Sequence, residues 1–277
     1  MYKKFAFLVK KIYSNIISFA KKSKEDSLSA YAAQTTFFII LSFVPLVILV
    51  FLISSNIPNL WTNILSYVLN AIPEHMHKYV YYVVDDIMNS GNKSFTIITV
   101  LLALWSSAKS VQALCYGLDR IYGIKREKNY IMTRLISIIY VFILVVLCIV
   151  AMVIDIFASQ IINAIIKHSH FMVDTTILLL SLRTLFIFFI LFVLILLMYY
   201  QLPARKGRFR DEIYGAGAAA ASLILMTRLF SFYIKYISNM SYMYGGLTSI
   251  IVIILWVYFC VQIVLYGAQV NYYLKRS

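Results

Sequence analysis

The sequence predicts an all-α, polytopic membrane protein with six transmembrane helices, and three observations support this fold class. Hydrophobic residues make up 62% of the 277 residues and charged residues only 13%, against about 45–50% and about 25% in ordinary soluble domains. The apolar residues are concentrated in runs of about 20 residues, the length that spans a bilayer. The basic residues, which give a formal charge of +14, lie between these runs, so membrane topology explains them better than a nucleic-acid groove does.

We expect one integral membrane domain over residues 1–277. Residues 54–94 form a long extracytoplasmic loop in which apolar residues at helical spacing on both sides of Pro73 predict two short amphipathic helices. Residues 1–24 carry seven lysines opposite a row of apolar residues, which predicts either an amphipathic helix attracted to anionic lipids or a solvated basic segment that only fixes topology. The six spans are predicted at about residues 32–53, 95–113, 135–162, 182–202, 213–234 and 247–270.

The basic residues also predict the orientation in the cell membrane. They alternate between crowded and sparse loops along the whole chain, so the positive-inside rule places both termini in the cytoplasm. We expect the N-terminus to be retained, because residues 1–24 contain no uninterrupted apolar core before a small-residue cleavage site. The basic residues assigned to the cytoplasmic side after the first span are Arg120, Lys125, Arg126, Lys128, Arg134, Arg205, Lys206, Arg208, Arg210, Lys275 and Arg276.

Signatures of enzymes and metal sites are absent from the sequence. The three cysteines are widely spaced and odd in number, so neither a disulfide framework nor a metal site is indicated. The pairs His75/His77 and His168/His170 are two residues apart, a spacing that points side chains apart on a helix. Asp211 and Glu212 are interpreted as exposed helix-end acids favoured by the helix dipole. We therefore expect no enzymatic activity, no metal and no cofactor.

Polar residues within the predicted spans are the candidate functional residues, because a charge at mid-span costs about 2.5–3.5 kcal/mol on insertion scales. Trp105, Lys109, Gln112 and Tyr116 follow one helix face. We hypothesise a polar substrate cavity that is open to the cytoplasm. The alternative is that the amides bridge helices through hydrogen bonds and that the lysine reaches to the interface. The residues assigned to the cavity are Gln34, Lys109, Gln112, Gln262 and Gln269.

Two further features are given structural interpretations. Asp155 and Arg228 should both lie in the outer half of the membrane, where they are predicted to form a structural charge pair. The small residues from Gly215 to Ser222 predict close packing of the fifth span against a neighbour.

Several short motifs occur in order from about Leu28 to the C-terminus. They are Ala30–Gln34, Leu41–Leu46, Trp105–Lys109, Leu118–Gly123, Tyr200–Pro203, Tyr244–Leu247, Leu255–Tyr258 and Gly267–Gln269. Together these motifs resemble the YihY/BrkB family of membrane proteins. The resemblance implies a six-helix inner-membrane protein, and the family carries an old ribonuclease BN label and, in one branch, a link to virulence. Asp119 stands where the family commonly has asparagine, and Gln269 where glutamate is usual.

The function we expect is membrane transport or lipid handling, in which the cytoplasmic cavity accepts an anionic headgroup or solute and Lys109 neutralises its charge. A non-catalytic membrane scaffold or envelope-integrity protein is the alternative. A ribonuclease is less favoured, because metal-assisted phosphodiester hydrolysis needs clustered ligands that the sequence does not offer. The expected partners are the lipid bilayer, with anionic lipids at the basic N-terminal helix, and no nucleic acid; a homo-oligomer is compatible with the sequence.

Overall fold

The computed structural model describes residues 17–54, 62, 65–66, 69, 77–78, 81–82, 85, 93–125, 131–143, 146, 172–205, 207–237 and 246–276. These residues form helices with a few turns and contain no strand. The helices are α1 (residues 17–25), α2 (Leu28–Ser54), α3 (Lys93–Ile121), α4 (Ile131–Ile143), α5 (Met172–Gln201), α6 (Ile213–Ile237) and α7 (Gly246–Arg276), with a 3₁₀ turn at Phe209–Glu212 before α6.

Helices able to cross a membrane are present, which confirms the coarser part of the predicted fold class. Within the described residues, three segments are long and apolar enough to span: Thr184–Gln201, Phe209–Ile234 and Ile251–Lys275. Leu28–Ser42 and α4 are apolar but shorter. The count of six spans stays a prediction. Residues 1–16, most of the loop 54–94 and most of the third predicted span lie outside the described residues.

The chain divides into two compact units, which we describe separately. The first unit comprises Met1–Thr36, Ala113–Asn129 and Ile187–Ser277, and the second comprises Phe37–Gln112 and Tyr130–Phe186.

In the first unit, α1 is attached to the C-terminal half of α7 by hydrogen bonds and aromatic contacts. The side-chain amide of Gln269 donates to the main-chain oxygen of Phe19 at 2.8 Å, and the hydroxyl of Tyr273 donates to the main-chain oxygen of Ser18 at 2.8 Å. The ring of Phe19 lies 5.7 Å from that of Tyr266 and 5.8 Å from that of Tyr273, centroid to centroid. The described part of the N-terminal segment is therefore packed on α7 along one side.

Helices α6 and α7 of the same unit approach each other through two glycines. A Cβ atom added to Gly215 would lie well inside van der Waals contact with the main-chain oxygen of Gly267, and one added to Gly267 would lie 2.8 Å from the Cβ of Ala219. Ala216, Ala219 and Ala220 are buried on the same side of α6. The small-residue segment of α6 therefore packs closely against its neighbour, as the sequence predicts.

This packing predicts that Gly215→Ala destabilises the protein while Gly217→Ala does not. The first change forces two backbones apart, an overpacking effect of typically about 1–3 kcal/mol. A Cβ atom at Gly217 would meet only Phe192 at 3.9 Å, an ordinary contact. Melting temperatures of the purified variants in detergent measure the difference, and equal melting temperatures would contradict the close approach.

Candidate functional site

The five residues predicted to line a cavity are divided between the two units. Lys109 and Gln112 belong to the second unit, whereas Gln34, Gln262 and Gln269 belong to the first. The structure therefore brings Lys109 and Gln112 together on one helix, and the cavity of all five residues stays a prediction.

The glutamines of the first unit differ in their surroundings. Gln34 is exposed on α2. The amide of Gln262 donates to the hydroxyl of Tyr266 at 2.7 Å and lies 3.4 Å from the hydroxyl of Ser29. Gln269 is fully buried, and its amide nitrogen holds α1. Its side-chain oxygen is also buried and has no hydrogen-bond partner among the residues that the structure describes. Two of these three amides thus have a structural role within their unit.

In the second unit, Arg134 of α4 reaches across to α3 and makes three contacts there. Its side chain donates to the side-chain oxygen of Gln112 at 3.3 Å and to the main-chain oxygen of Trp105. The centre of its guanidinium also lies 4.2 Å from the centroid of the Trp105 ring, within the range of a cation–π interaction. Arg134 is only 5% exposed, so its guanidinium is held firmly against this helix.

Along α3, Lys109 lies between Trp105 and Gln112, the two residues that Arg134 contacts. It follows Trp105 by four residues and precedes Gln112 by three, so the three side chains share one helix face. The ammonium of Lys109 lies 5.4 Å from the centroid of the Phe38 ring, and no carboxylate of the described residues is within ion-pair distance of it. Lys109 and the guanidinium of Arg134 therefore lie along the same face of α3, and we call Trp105, Lys109, Gln112 and Arg134 the cationic site.

The cationic site opens at the surface of the described part of the second unit. Trp105 is 53% exposed, and Lys109 is half-buried. Lys109 lies sixteen residues beyond Lys93, the first residue of α3, which is about 24 Å along the helix axis. On the predicted topology this depth is in the inner half of a hydrocarbon layer of about 30 Å. Such a site can bind an anion, with a planar donor pair from Arg134 and a point charge from Lys109.

Arg134 was missed as a site residue because its position suggests another role. It follows four other basic residues in a predicted cytoplasmic segment and immediately precedes the third predicted span. The positive-inside rule accounts for such a residue without further explanation. Its only distinguishing signal in the sequence is that it is the basic residue nearest to the apolar run.

A second polar centre lies in the first unit around Glu212, which is fully buried. One carboxylate oxygen forms an ion pair with Arg205. The other accepts from the hydroxyl of Tyr122 at 2.8 Å and from the amide of Asn271 at 2.9 Å. The guanidinium of Arg205 also lies 3.5 Å from the centroid of the Tyr122 ring. The expectation that Glu212 is an exposed helix-end acid is therefore wrong, because its carboxylate is enclosed by partners from three other segments.

Hydrogen bonds from neighbouring side chains of the first unit fix the connection between α5 and α6. The carboxylate of Asp119 accepts a hydrogen bond from the main-chain N–H of Ala204 at 2.7 Å. The side-chain oxygen of Asn271 accepts a hydrogen bond from the main-chain N–H of Gly215 at 2.6 Å. Burial, and next the negative charge of Glu212, raise the pKa of Tyr122, so its phenol remains a hydrogen-bond donor at physiological pH. These groups are paired with one another, except that the Nε atom of Arg205 is buried without a hydrogen-bond partner among the described residues. The pairing indicates that the Glu212 centre is structural.

The remaining sequence predictions for sites are not decided. Asp155 lies outside the described residues, and Arg228 is exposed on α6, so their charge pair stays a prediction. Within the part of the chain that the structure describes, no group of three His, Cys, Asp or Glu side chains could hold a metal ion.

We predict that Glu212→Gln lowers the stability of the protein much more than Asp211→Asn does. Removing one partner of a buried ion pair typically costs about 3–5 kcal/mol, since the other charge stays buried. The neighbouring pair of Asp211 with Lys275, at 3.2 Å, is partly exposed and is worth about 0–1 kcal/mol. Thermal unfolding of both variants in detergent measures the effect. A Glu212→Gln variant as stable as Asp211→Asn would show that the carboxylate is not needed.

Comparison with known proteins places the chain in a family. The family model described as virulence factor BrkB matches residues 19–277. The ribonuclease-like protein YfkH of Bacillus subtilis is 24% identical over 249 residues, which cover 88% of this chain and 89% of that protein. A UPF0761 membrane protein of Idiomarina loihiensis is 37% identical over 93 residues, 34% of this chain and 31% of that protein. A UPF0761 membrane protein of Chlorobium phaeobacteroides is 34% identical over 73 residues, 26% of this chain and 16% of that protein.

No solved structure is a significant match to this chain. The family match extends over both units and includes every residue of the cationic site and of the Glu212 centre. It agrees with the resemblance carried by the sequence motifs and with helices that are able to cross a membrane. The chain therefore belongs to the BrkB family of membrane proteins.

Proposed function

We propose that this protein is a membrane transport or lipid-handling protein that accepts the negatively charged group of a lipid or solute at the cationic site. The observation that carries this proposal is that Lys109 and the guanidinium of Arg134 lie along one face of α3. Lys109 lies in α3, whose other residues at this depth are mostly apolar or small, and Arg134 reaches this helix from α4.

The energetics of charges in membranes support a functional role for this pair. A charge inside the hydrocarbon layer is costly, up to about 2.5–3.5 kcal/mol at mid-span on insertion scales, and Lys109 is predicted to lie in the inner half of that layer. Two like charges beside one helix face also repel each other. An anion bound between them would offset both effects. A purely structural lysine at this place would gain little, because its described contact is with the ring of Phe38.

The two cations have different parts in the proposed mechanism. Arg134 is fixed by Gln112 and by the carbonyl and ring of Trp105, so it forms a preorganised donor pair. Lys109 has a flexible side chain and a weaker aromatic contact. We propose that Lys109 moves from the ring of Phe38 onto the bound anion and neutralises it, while Arg134 orients it.

The depth of the site depends on the predicted orientation, in which both termini are cytoplasmic. We predict that a reporter fused after Asn92 is active outside the cytoplasm and that one fused after Lys206 is active inside. Alkaline phosphatase and green fluorescent protein fusions measure the two sides independently. The reverse result would place Lys109 in the outer half of the membrane and would contradict an anion site that is loaded from the cytoplasm.

The function itself is tested by translocation in proteoliposomes. We predict that wild-type protein moves an anionic lipid or a small anionic solute across the bilayer, and that Lys109→Leu reduces the rate about tenfold or more, since a charge-assisted hydrogen bond is worth about 1.5–3 kcal/mol. Lys109→Arg, which keeps the charge, should retain a substantial part of the activity.

The matched control is Lys125→Leu, which removes an exposed lysine from the first unit and should leave the rate unchanged. Folding of each variant is checked by size-exclusion chromatography. If folded wild-type protein moves neither class of anion, the transport proposal is overturned in favour of the scaffold alternative.

A further inference from the structure

We infer that the anion is the headgroup of a membrane lipid, which enters the cationic site sideways from the bilayer while its acyl chains stay on the exposed apolar face of α3. This inference rests on the proposed function and names the substrate class for the same site. The evidence for this inference is the exposed apolar surface of α3 next to Lys109.

An exposed apolar face of α3 ends directly at the cationic site. Ile98, Leu101, Leu102 and Trp105 are all more than half exposed. Ile98 and Leu102 are four residues apart, as are Leu101 and Trp105, and Trp105 and Lys109, so the five side chains form a continuous strip along one side of the helix. The strip is apolar for about two turns and then cationic, in the same order as the tail and the headgroup of a lipid.

The length of the strip is close to that of the acyl chains of one lipid. Ile98 and Lys109 are separated by eleven residues, which corresponds to about 16 Å along the helix axis. Half of a hydrocarbon layer of about 30 Å is about 15 Å. A lipid whose headgroup lies at Lys109 would therefore extend its acyl chains along the whole exposed strip.

The chemistry of this face favours an amphiphile over a water-soluble anion. A soluble anion bound at Lys109 would leave the adjoining strip at Leu101 and Leu102 uncovered and would gain no contact from it, although the anion would still lose its hydration. An anionic lipid keeps its chains in the hydrocarbon and loses only the hydration of its headgroup. Trp105 lies at the border between the apolar and cationic parts, and its indole is suited to such a border because its ring is apolar and its N–H is a donor.

The experiment measures lipid and solute movement separately in the same proteoliposomes. Vesicles of phosphatidylcholine with a minor fraction of fluorescent phosphatidylglycerol report lipid scrambling through quenching by dithionite. Vesicles loaded with glycerol phosphate or with inorganic phosphate report movement of the same anionic group without acyl chains. We expect phosphatidylglycerol to move and the two soluble phosphates not to move, with Lys109→Leu reducing lipid movement about tenfold or more.

A second pair of variants tests the apolar strip. Leu101→Ser makes the strip polar, and Leu225→Ser is its matched control, since Leu225 on α6 is also a leucine that is 60% exposed, as Leu101 is. We expect Leu101→Ser to slow phosphatidylglycerol movement severalfold and Leu225→Ser to leave it unchanged. Leu102→Ser, on the same strip, replaces Leu101→Ser if that variant fails to fold.

The outcomes separate this inference from the function on which it rests. If soluble phosphates move in a Lys109-dependent way and phosphatidylglycerol does not, the lipid inference is overturned and the proposed function stands. If lipid moves but Leu101→Ser and Leu225→Ser behave alike, entry along the strip is overturned. A change of oligomeric state in Leu101→Ser alone would overturn it as well, because the strip would then be covered by a second copy. If nothing moves, both proposals fall.

Discussion

The first unit depends on the interactions of one buried group, the carboxylate of Glu212. It connects the end of α3 through Tyr122, the connection after α5 through Arg205 and the last turns of α7 through Asn271. These segments are far apart in sequence, and each contributes a group that would be costly to bury alone. Because each of them is paired with the carboxylate, a polar centre can exist at the end of apolar helices. It fixes where α6 begins, and the glycine contact between α6 and α7 follows from that position.

Arg134 and Arg205 share one kind of contact, because the guanidinium of each lies over an aromatic ring. The ring is that of Trp105 for Arg134 and that of Tyr122 for Arg205. Arg205 also forms an ion pair with the buried carboxylate of Glu212, and Arg134 also donates to the side-chain oxygen of Gln112 and to the main-chain oxygen of Trp105. Lys109 is half-buried on the same face of α3, so it supplies the more accessible positive charge of the proposed anion site.

Much of the fold was predictable from the sequence, and the site only in part. The runs of apolar residues predict the positions of α2, α3, α5, α6 and α7 to within a few residues at most ends, because bilayer thickness sets their length. The helix face of Trp105, Lys109 and Gln112 follows from a spacing of three and four residues. The ion pair of Glu212 with Arg205 and the reach of Arg134 across to α3 depend on tertiary contacts. Topology explains charged residues next to spans equally well, so the sequence had no means of separating these three from their neighbours.

The different mobility of the two cations bears on how a headgroup would pass through the site. If both cations were fixed in contact with the anion, the anion would be trapped, because its release requires both contacts to be broken. Arg134 is locked by three contacts, but Lys109 exchanges only a cation–π contact with Phe38, worth about 0.5–2 kcal/mol, for its contact with the anion. The ring thus gives the lysine an alternative position of similar free energy. Binding and release are then both accessible at one site, as translocation requires and permanent lipid anchoring does not.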